Sequence, residues 1–343
     1  MVRTPQPPRR ILLTVAYDGT NFSGWQVQPN VRTVQGELEA AVSEMEGRRV
    51  RVRGAGRTDA GVHALGQAAT FTTSGSIPPM GYLKGLVSLL PDDMAVTAIR
   101  QVPDHFVIQT WPVIKLYRYT FYESVFRDPF LERYAIRTHV HLDVDSMNRA
   151  AQYLLGAHDF SSFRAADCER KTAVRRIDQL TVTRSSNLVT LDVMGPGFLK
   201  NMVRIVAGTL LQVGLGRWPA TRIADILEAR DRTKGGPTAR AKGLCLVWVR
   251  YRDIEPAVPP GNWLDPTWPM ILGPAAGAAP EPAPILDFTT KSATWDDEPT
   301  ADPPDAPAGK RDDVSDGDPT GPRAGEHESG PTGKPPGTGN EQP

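Results

Sequence analysis

The chain has 343 residues, 40% of them hydrophobic, which is enough for two domains of ordinary size and a sizeable buried core. Its formal net charge is zero, yet residues 1–256 carry 34 Lys+Arg against 24 Asp+Glu, while 257–343 carry 5 against 15. The basic body favours a polyanionic partner such as nucleic acid, and two cysteines outside any CxxC pair, Cys168 and Cys245, argue against a disulfide framework or zinc cluster and fit a reducing, cytoplasmic compartment.

Arg9 and Arg10 precede the apolar run Ile11-Leu12-Leu13, which is too short for a signal-peptide core. No stretch approaches the roughly 20 apolar residues that span a bilayer. β-Branched and aromatic content predicts strands at Ile11–Tyr17, Ala68–Thr72, Ala95–Arg100, Leu116–Tyr122, Leu180–Arg184, Val189–Met194 and Leu246–Tyr251. Val34, Leu38, Val42 and Met45 recur at helical spacing, with Thr33 as N-cap and Gly47 as stop. A second amphipathic helix is expected over Met147–Leu155, beginning after Asp145 and ending at Gly156. Phe198–Val213 is apolar nearly all round and predicts a buried helix.

Each half thus carries a strand, an amphipathic helix and further strands. The expected fold is α+β, with two related units of mainly antiparallel sheet and flanking helices, at 10–105 and 106–255. Residues 257–343 hold 18 of the 32 prolines and most of the excess acid. Such a composition cannot bury enough surface to offset its ordering entropy, so 256–343 reads as a largely disordered tail.

The densest cluster of special residues is Gly54-Ala55-Gly56-Arg57-Thr58-Asp59-Ala60-Gly61-Val62-His63. Its glycines imply turns or close approach of another chain. The first two glycines mimic a dinucleotide fingerprint, but Asp59 stands where the third glycine belongs, so no nucleotide cofactor is expected. On spacing alone, a tight turn capped by Asp59 competes with a functional carboxylate. His139 and His141 alternate on an expected strand without a third ligand, so no metal is assigned.

Tyr17-Asp18-Gly19-Thr20-Asn21-Phe22-Ser23-Gly24-Trp25-Gln26 resembles the opening motif of the tRNA pseudouridine synthase A family. Gly56–Ala64 is similar to the family's catalytic motif over its full length, and Gly66-Gln67 continues it. Tyr117-Arg118-Tyr119, Asp159–Arg164, Phe198–Arg204 and Gly243-Leu244 follow in order at appropriate spacing. The resemblance covers about residues 10–253.

The resemblance implies a pseudouridine synthase fold with a catalytic cleft between its two units. It implies an isomerase that needs no cofactor, acts as a homodimer and converts uridine to pseudouridine in the anticodon stem-loop of tRNA, at positions 38, 39 and 40. It places Asp59 as the catalytic carboxylate, Arg204 as its partner and Tyr117 as the aromatic residue against the reacting base. It also places Arg57 on RNA phosphate or on the flipped nucleotide. A guanidinium is expected to hold the carboxylate in a fixed fork. Gln109 departs from the pattern, standing where the family usually has an arginine, with Trp111 nearby as a stacking or core residue. Two alternatives stay open: a catalytically weak RNA-binding protein on the same fold, and a glycoside-cleaving enzyme using Asp18 and Asp59.

Overall fold

In the computed structural model, residues 7–254 are described, apart from 112 and 169. The acidic tail expected at 256–343 lies outside them. The strands are β1 (Arg9–Tyr17), β2 (Arg53–Gly54), β3 (His63–Thr73), β4 (Met94–Val102), β5 (Val113–Glu123), β6 (Ile136–Thr138), β7 (Gly156–Asp159), β8 (Val174–Ile177), β9 (Gln179–Ser185), β10 (Leu188–Gly195) and β11 (Leu244–Tyr251). The helices are α1 (Val34–Glu46), α2 (Pro79–Leu89), α3 (Val144–Gln152), α4 (Met202–Gly214) and α5 (Arg222–Ala229).

The main sheet runs β4-β1-β3-β11-β5-β10-β9, with β2 added beside β3 and β6 beside β5. Its pairings are antiparallel except β3–β11 and β5–β6. Strands from the two halves of the chain therefore meet in the middle of one sheet. Paired residues on neighbouring strands point to the same face. Leu180, Val193, Tyr117, Leu246, Ala64, Tyr17 and Met94 are linked by successive pairings into one row across seven strands. All seven are buried, and Tyr117 is central. This face also meets the buried residues of all five helices in one core. On the other face a small cluster forms around Leu12, Ala68, Phe106, Ile108 and Tyr251, under the segment joining β4 to β5.

Local signals explain several helix ends. Thr33 caps α1 by accepting from Gly36 N–H, and Gly47 closes it at φ 66°. The second amphipathic helix starts earlier than expected, because Asp143 rather than Asp145 accepts from Ser146 N–H. The buried helix begins at Met202, four residues later than its apolar run, because Asn201 adopts a left-handed φ of 62°. The strand expected to align His139 and His141 ends at Thr138, so both lie beyond it and are exposed.

Gly208 decides how closely α4 is approached. A Cβ there would lie 1.9 Å from the Pro237 carbonyl oxygen. The segment it would displace includes Ala239, whose N–H donates to the Arg204 carbonyl at 3.1 Å. Gly208→Ala is expected to cost about 1–3 kcal/mol of stability through overpacking. A denaturant melt checks this; an unchanged midpoint would show that the loop moves aside freely.

Candidate active site

The loop between β2 and β3 is held at both ends before it presents any chemistry. Lys115 Nζ donates to the Ala55 carbonyl at 2.9 Å, and Gln67 Nε2 to the Gly56 carbonyl at 2.9 Å. The Tyr17 hydroxyl and Thr58 Oγ1 are 2.8 Å apart and buried. Trp25 N–H donates to the Thr58 carbonyl at 3.0 Å. That approach needs Gly24, which sits at φ +92° and whose Cβ would fall 2.7 Å from the same carbonyl oxygen. Beyond Asp59, the Val62 N–H returns to the Asp59 carbonyl at 3.1 Å. The opening segment 17–26 is thus the clamp of the Asp59 loop.

Asp59 faces α4. Arg204 Nη1 donates to Asp59 Oδ2 at 2.9 Å across 145 positions of sequence. The same Nη1 donates to Asn201 Oδ1 at 2.8 Å, and Nε to the Ala239 carbonyl at 2.8 Å. The left-handed backbone at Asn201 begins α4 one turn before Arg204, which places both side chains at this point. The expected two-bond fork is not formed. Arg204 grips one carboxylate oxygen and spends its Nε on the 239 segment. Oδ1 accepts no hydrogen bond among the described residues, and the side chain is 33% exposed against 17% for Arg204. One oxygen is held by Arg204, and the Asp59 side chain stays partly exposed.

Tyr117 lies in the buried row across the sheet, 9% exposed, with its ring edge-to-face on Phe198 at 5.4 Å and near enough to Asp59 to feel its charge. Burial, and then the Asp59 carboxylate, push its phenol well above the ordinary range, so it stays protonated. Tyr119 and Phe121 continue its side of the strand as core, and Tyr119 donates to the Arg240 carbonyl at 2.7 Å. The structure therefore brings Asp59, Arg204 and Tyr117 together. Arg57 lies exposed on the same loop.

His63 is inside the frame. Its Nδ1 faces the Gly19 N–H at 3.0 Å and Asp18 Oδ1 at 3.1 Å, while Nε2 lies 3.1 Å from the Arg133 carbonyl. Burial alone would raise the Asp18 carboxyl, but the adjacent His63 ring and the hydrogen bonds from Thr20 and Tyr134 override it and hold the group well below the usual carboxylate range. Both Asp18 oxygens are engaged, Oδ1 by Thr20 and Oδ2 by Tyr134. Asp18 is therefore not an open carboxylate available to pair with Asp59 in glycoside cleavage.

Gln109 is exposed on the β4–β5 connection. Trp111 packs on Phe106 at 5.2 Å and donates from Nε1 to the Arg252 carbonyl at 2.8 Å, which makes it part of the small cluster under the sheet. His141 Nδ1 meets Glu123 at 2.9 Å. Lys115 and the Ala239 segment escaped sequence reasoning, and Asn201 enters it only as a member of the Phe198–Arg204 motif, without a role. Lys115 could have been found, since it lies two residues before Tyr117 and so shares its side of the strand. Asn201 and Ala239 carry no signal of their own before the chain folds.

The sequence profile of a family described as tRNA pseudouridine synthase matches residues 13–109 and 150–252. The chain belongs to this family. Proteins called tRNA pseudouridine synthase A are similar to it over nearly their whole length. That of Pelobacter propionicus is 48% identical over 244 residues, 71% of this chain and 100% of that one. That of Myxococcus xanthus is 46% identical over 257 residues, 75% of this chain and 97% of that one. That of Geotalea uraniireducens is 44% identical over 243 residues, 71% and 100%. Membership makes this tRNA pseudouridine synthase an isomerase on a mixed α+β fold. Among its described residues, no helix is long and apolar enough to cross a membrane.

Proposed function

We propose that this enzyme converts uridine to pseudouridine in the anticodon stem-loop of tRNA, at positions 38, 39 and 40, with Asp59 as the catalytic carboxylate. The observation that carries the reading is the half-held carboxylate: Asp59 Oδ2 on Arg204 at 2.9 Å, with Oδ1 free of protein partners among the described residues. In the reaction the C1′–N1 bond breaks, the uracil turns, and C1′ rejoins at C5. The proton on C5 is released and N1 takes one up, so no electrons enter or leave. A carboxylate with one open oxygen can act as a nucleophile or a base toward such a centre. Arg204 holds it in a fixed orientation through the 2.9 Å hydrogen bond. Tyr117 offers its ring face or neutral hydroxyl to the extruded uracil, as stacking on flipped bases requires. Arg57, exposed on the same loop, supplies a cation for the flipped nucleotide or its phosphate.

The reading takes the enzyme as a cytoplasmic homodimer. Phe126 and Phe130, 79% and 84% exposed on the connection after β5, are the kind of apolar surface that a subunit contact covers. Light scattering of the pure protein checks the mass; a monomer at micromolar concentration would remove this part.

The deciding experiment incubates the protein with unmodified tRNA transcripts and maps pseudouridine position by position. The expected product lies at 38, 39 and 40, with no free base released. Modification confined to other positions would overturn the site assignment. Release of uracil would overturn the isomerisation.

A further inference from the structure

Three side chains hold the stretch that leads from β2 to Asp59. Lys115 Nζ takes the Ala55 carbonyl, Gln67 Nε2 takes the Gly56 carbonyl, and the Tyr17 hydroxyl meets Thr58 Oγ1. Gln67 does not titrate, and burial pushes the Tyr17 phenol well above the ordinary range. Lys115 is the one cation of the three. Burial, and then the charge of Arg170, lower its ammonium to about 8, so of the three ties only this one changes charge near neutral pH.

Lys115 stands near the start of β5, in register with Gly195 of β10 and Val249 of β11. Ala55 gives its own N–H to the Ala68 carbonyl at 2.9 Å, which extends the β2–β3 pairing by one residue. Its carbonyl goes to β5 instead, through Lys115. A Cβ on Gly56 would lie 3.1 Å from Lys115 Nζ, so the ammonium rests against two successive loop residues. Tyr117 follows two residues later on the same side of the strand. One strand, paired along both edges, therefore sets the base of the Asp59 loop and the aromatic ring together. The neighbouring charge comes from Arg170, exposed on the connection before β8. Gly195, Val249, Ala55 and Gly56 carry none.

We propose that Lys115 is a positioning residue for the isomerisation: its ammonium pins the turn from β2 into the loop and so fixes where Asp59 stands against Arg204 and Tyr117. The proposal rests on the function given above. It adds a group outside the reacting centre whose proton governs the alkaline side of the rate. Protonated, Lys115 gives the Ala55 carbonyl a charge-assisted bond, roughly twice as strong as a neutral one. As pH rises through about 8 the proton is lost, the tie weakens to that of an amine, and the loop loosens. Turnover is thus full below that pH and falls above it.

The test uses the full chain and compares the parent with Lys115→Arg and Lys115→Met. Single-turnover pseudouridine formation at saturating protein is followed between about pH 6 and 10, each profile being normalised to its neutral value. Amide hydrogen exchange of the 54–62 peptide is measured at neutral pH. The parent rate is expected to fall with a midpoint near pH 8. Arginine stays charged throughout, so Lys115→Arg should lose this alkaline fall. Ionisation of the uracil ring is common to both proteins and cancels in the comparison. Lys115→Met should be about 10–100-fold slower at neutral pH, as misalignment of a reacting group requires. It should also show no fall near pH 8, faster exchange at 54–62 and unchanged tRNA affinity. A parental rate in Lys115→Met, or the same alkaline fall in all three proteins, would overturn the proposal. Should Lys115→Met not fold, Lys115→Arg decides alone, and a fall unmoved by arginine would overturn it. A parent that makes no pseudouridine, while Lys115→Met still loosens the 54–62 peptide, would sink the proposed reaction and leave the positioning role standing. An inactive parent with equal exchange in both would remove both.

Discussion

Asp59→Asn is expected to abolish turnover, by at least about 10³-fold, while tRNA binding stays near the parent value. The substitution keeps the size and the oxygen facing Arg204, so the 2.9 Å contact can survive as a hydrogen bond. It removes the charge and basicity that the open oxygen would supply. RNA affinity is expected to persist because it comes mainly from phosphate contacts. The loop should stay in place as well. Its ties run through Ala55, Gly56 and Thr58 and do not involve the Asp59 side chain. Single-turnover assays with saturating protein check the result. Pseudouridine formation by Asp59→Asn within a few-fold of the parent would take the carboxylate out of the mechanism.

Arg204→Lys is expected to lose about 10²-fold in turnover with the fold intact, a loss comparable to removing one oriented donor from a reacting centre. Lysine keeps the positive charge, so a purely electrostatic role would be largely preserved. The structure shows a role beyond charge. Arg204 reaches Asp59 and Asn201 through Nη1 and the Ala239 carbonyl through Nε. An ammonium is a single point and cannot stand in the places of both Nε and Nη1. Either Asp59 Oδ2 or the Ala239 carbonyl then loses its donor, and the carboxylate is no longer aimed. The loss should fall on kcat at saturating tRNA, with KM and the thermal midpoint little changed. A variant that turns over like the parent would show that charge suffices and that the orientation of Asp59 is set elsewhere. A large drop in thermal midpoint would show Arg204 to be a structural cross-link between α4 and the 239 segment.

Much of the fold was legible before any coordinates. The seven strands predicted from β-branched and aromatic content each lie within an observed one, because alternation in segments such as Ile11–Tyr17 reports directly on one buried side; the strand expected to carry His139 and His141 does not reach them. α1 was legible to its caps, since Thr33 and Gly47 are local devices. α2 was not. Its stretch begins Pro78-Pro79 and holds Gly81 and Gly85, poor helix formers on their own. It is a helix because Tyr82 and Leu86 are wholly buried against α1 and β4, and that packing overrides propensity. α5 was missed for a related reason. Only Ile223 and Ile226 mark its buried side, too few to establish a period.

The sequence by itself determined the Asp59 loop, the family and the chemistry to expect. These depend on residues adjacent in the chain, where spacing and side-chain type carry the information. It did not determine that Asp59 would meet Arg204 through a single oxygen or that Asp18 would be consumed by Thr20, Tyr134 and His63. Apart from the local Asp18–Thr20 contact, those pairings join residues tens to more than a hundred positions apart. They are decided by the parallel β3–β11 junction, the left-handed turn at Asn201 and the close approach that Gly208 permits. Each side chain in such a contact is chemically suited to several partners, and only the packed backbone selects one of them.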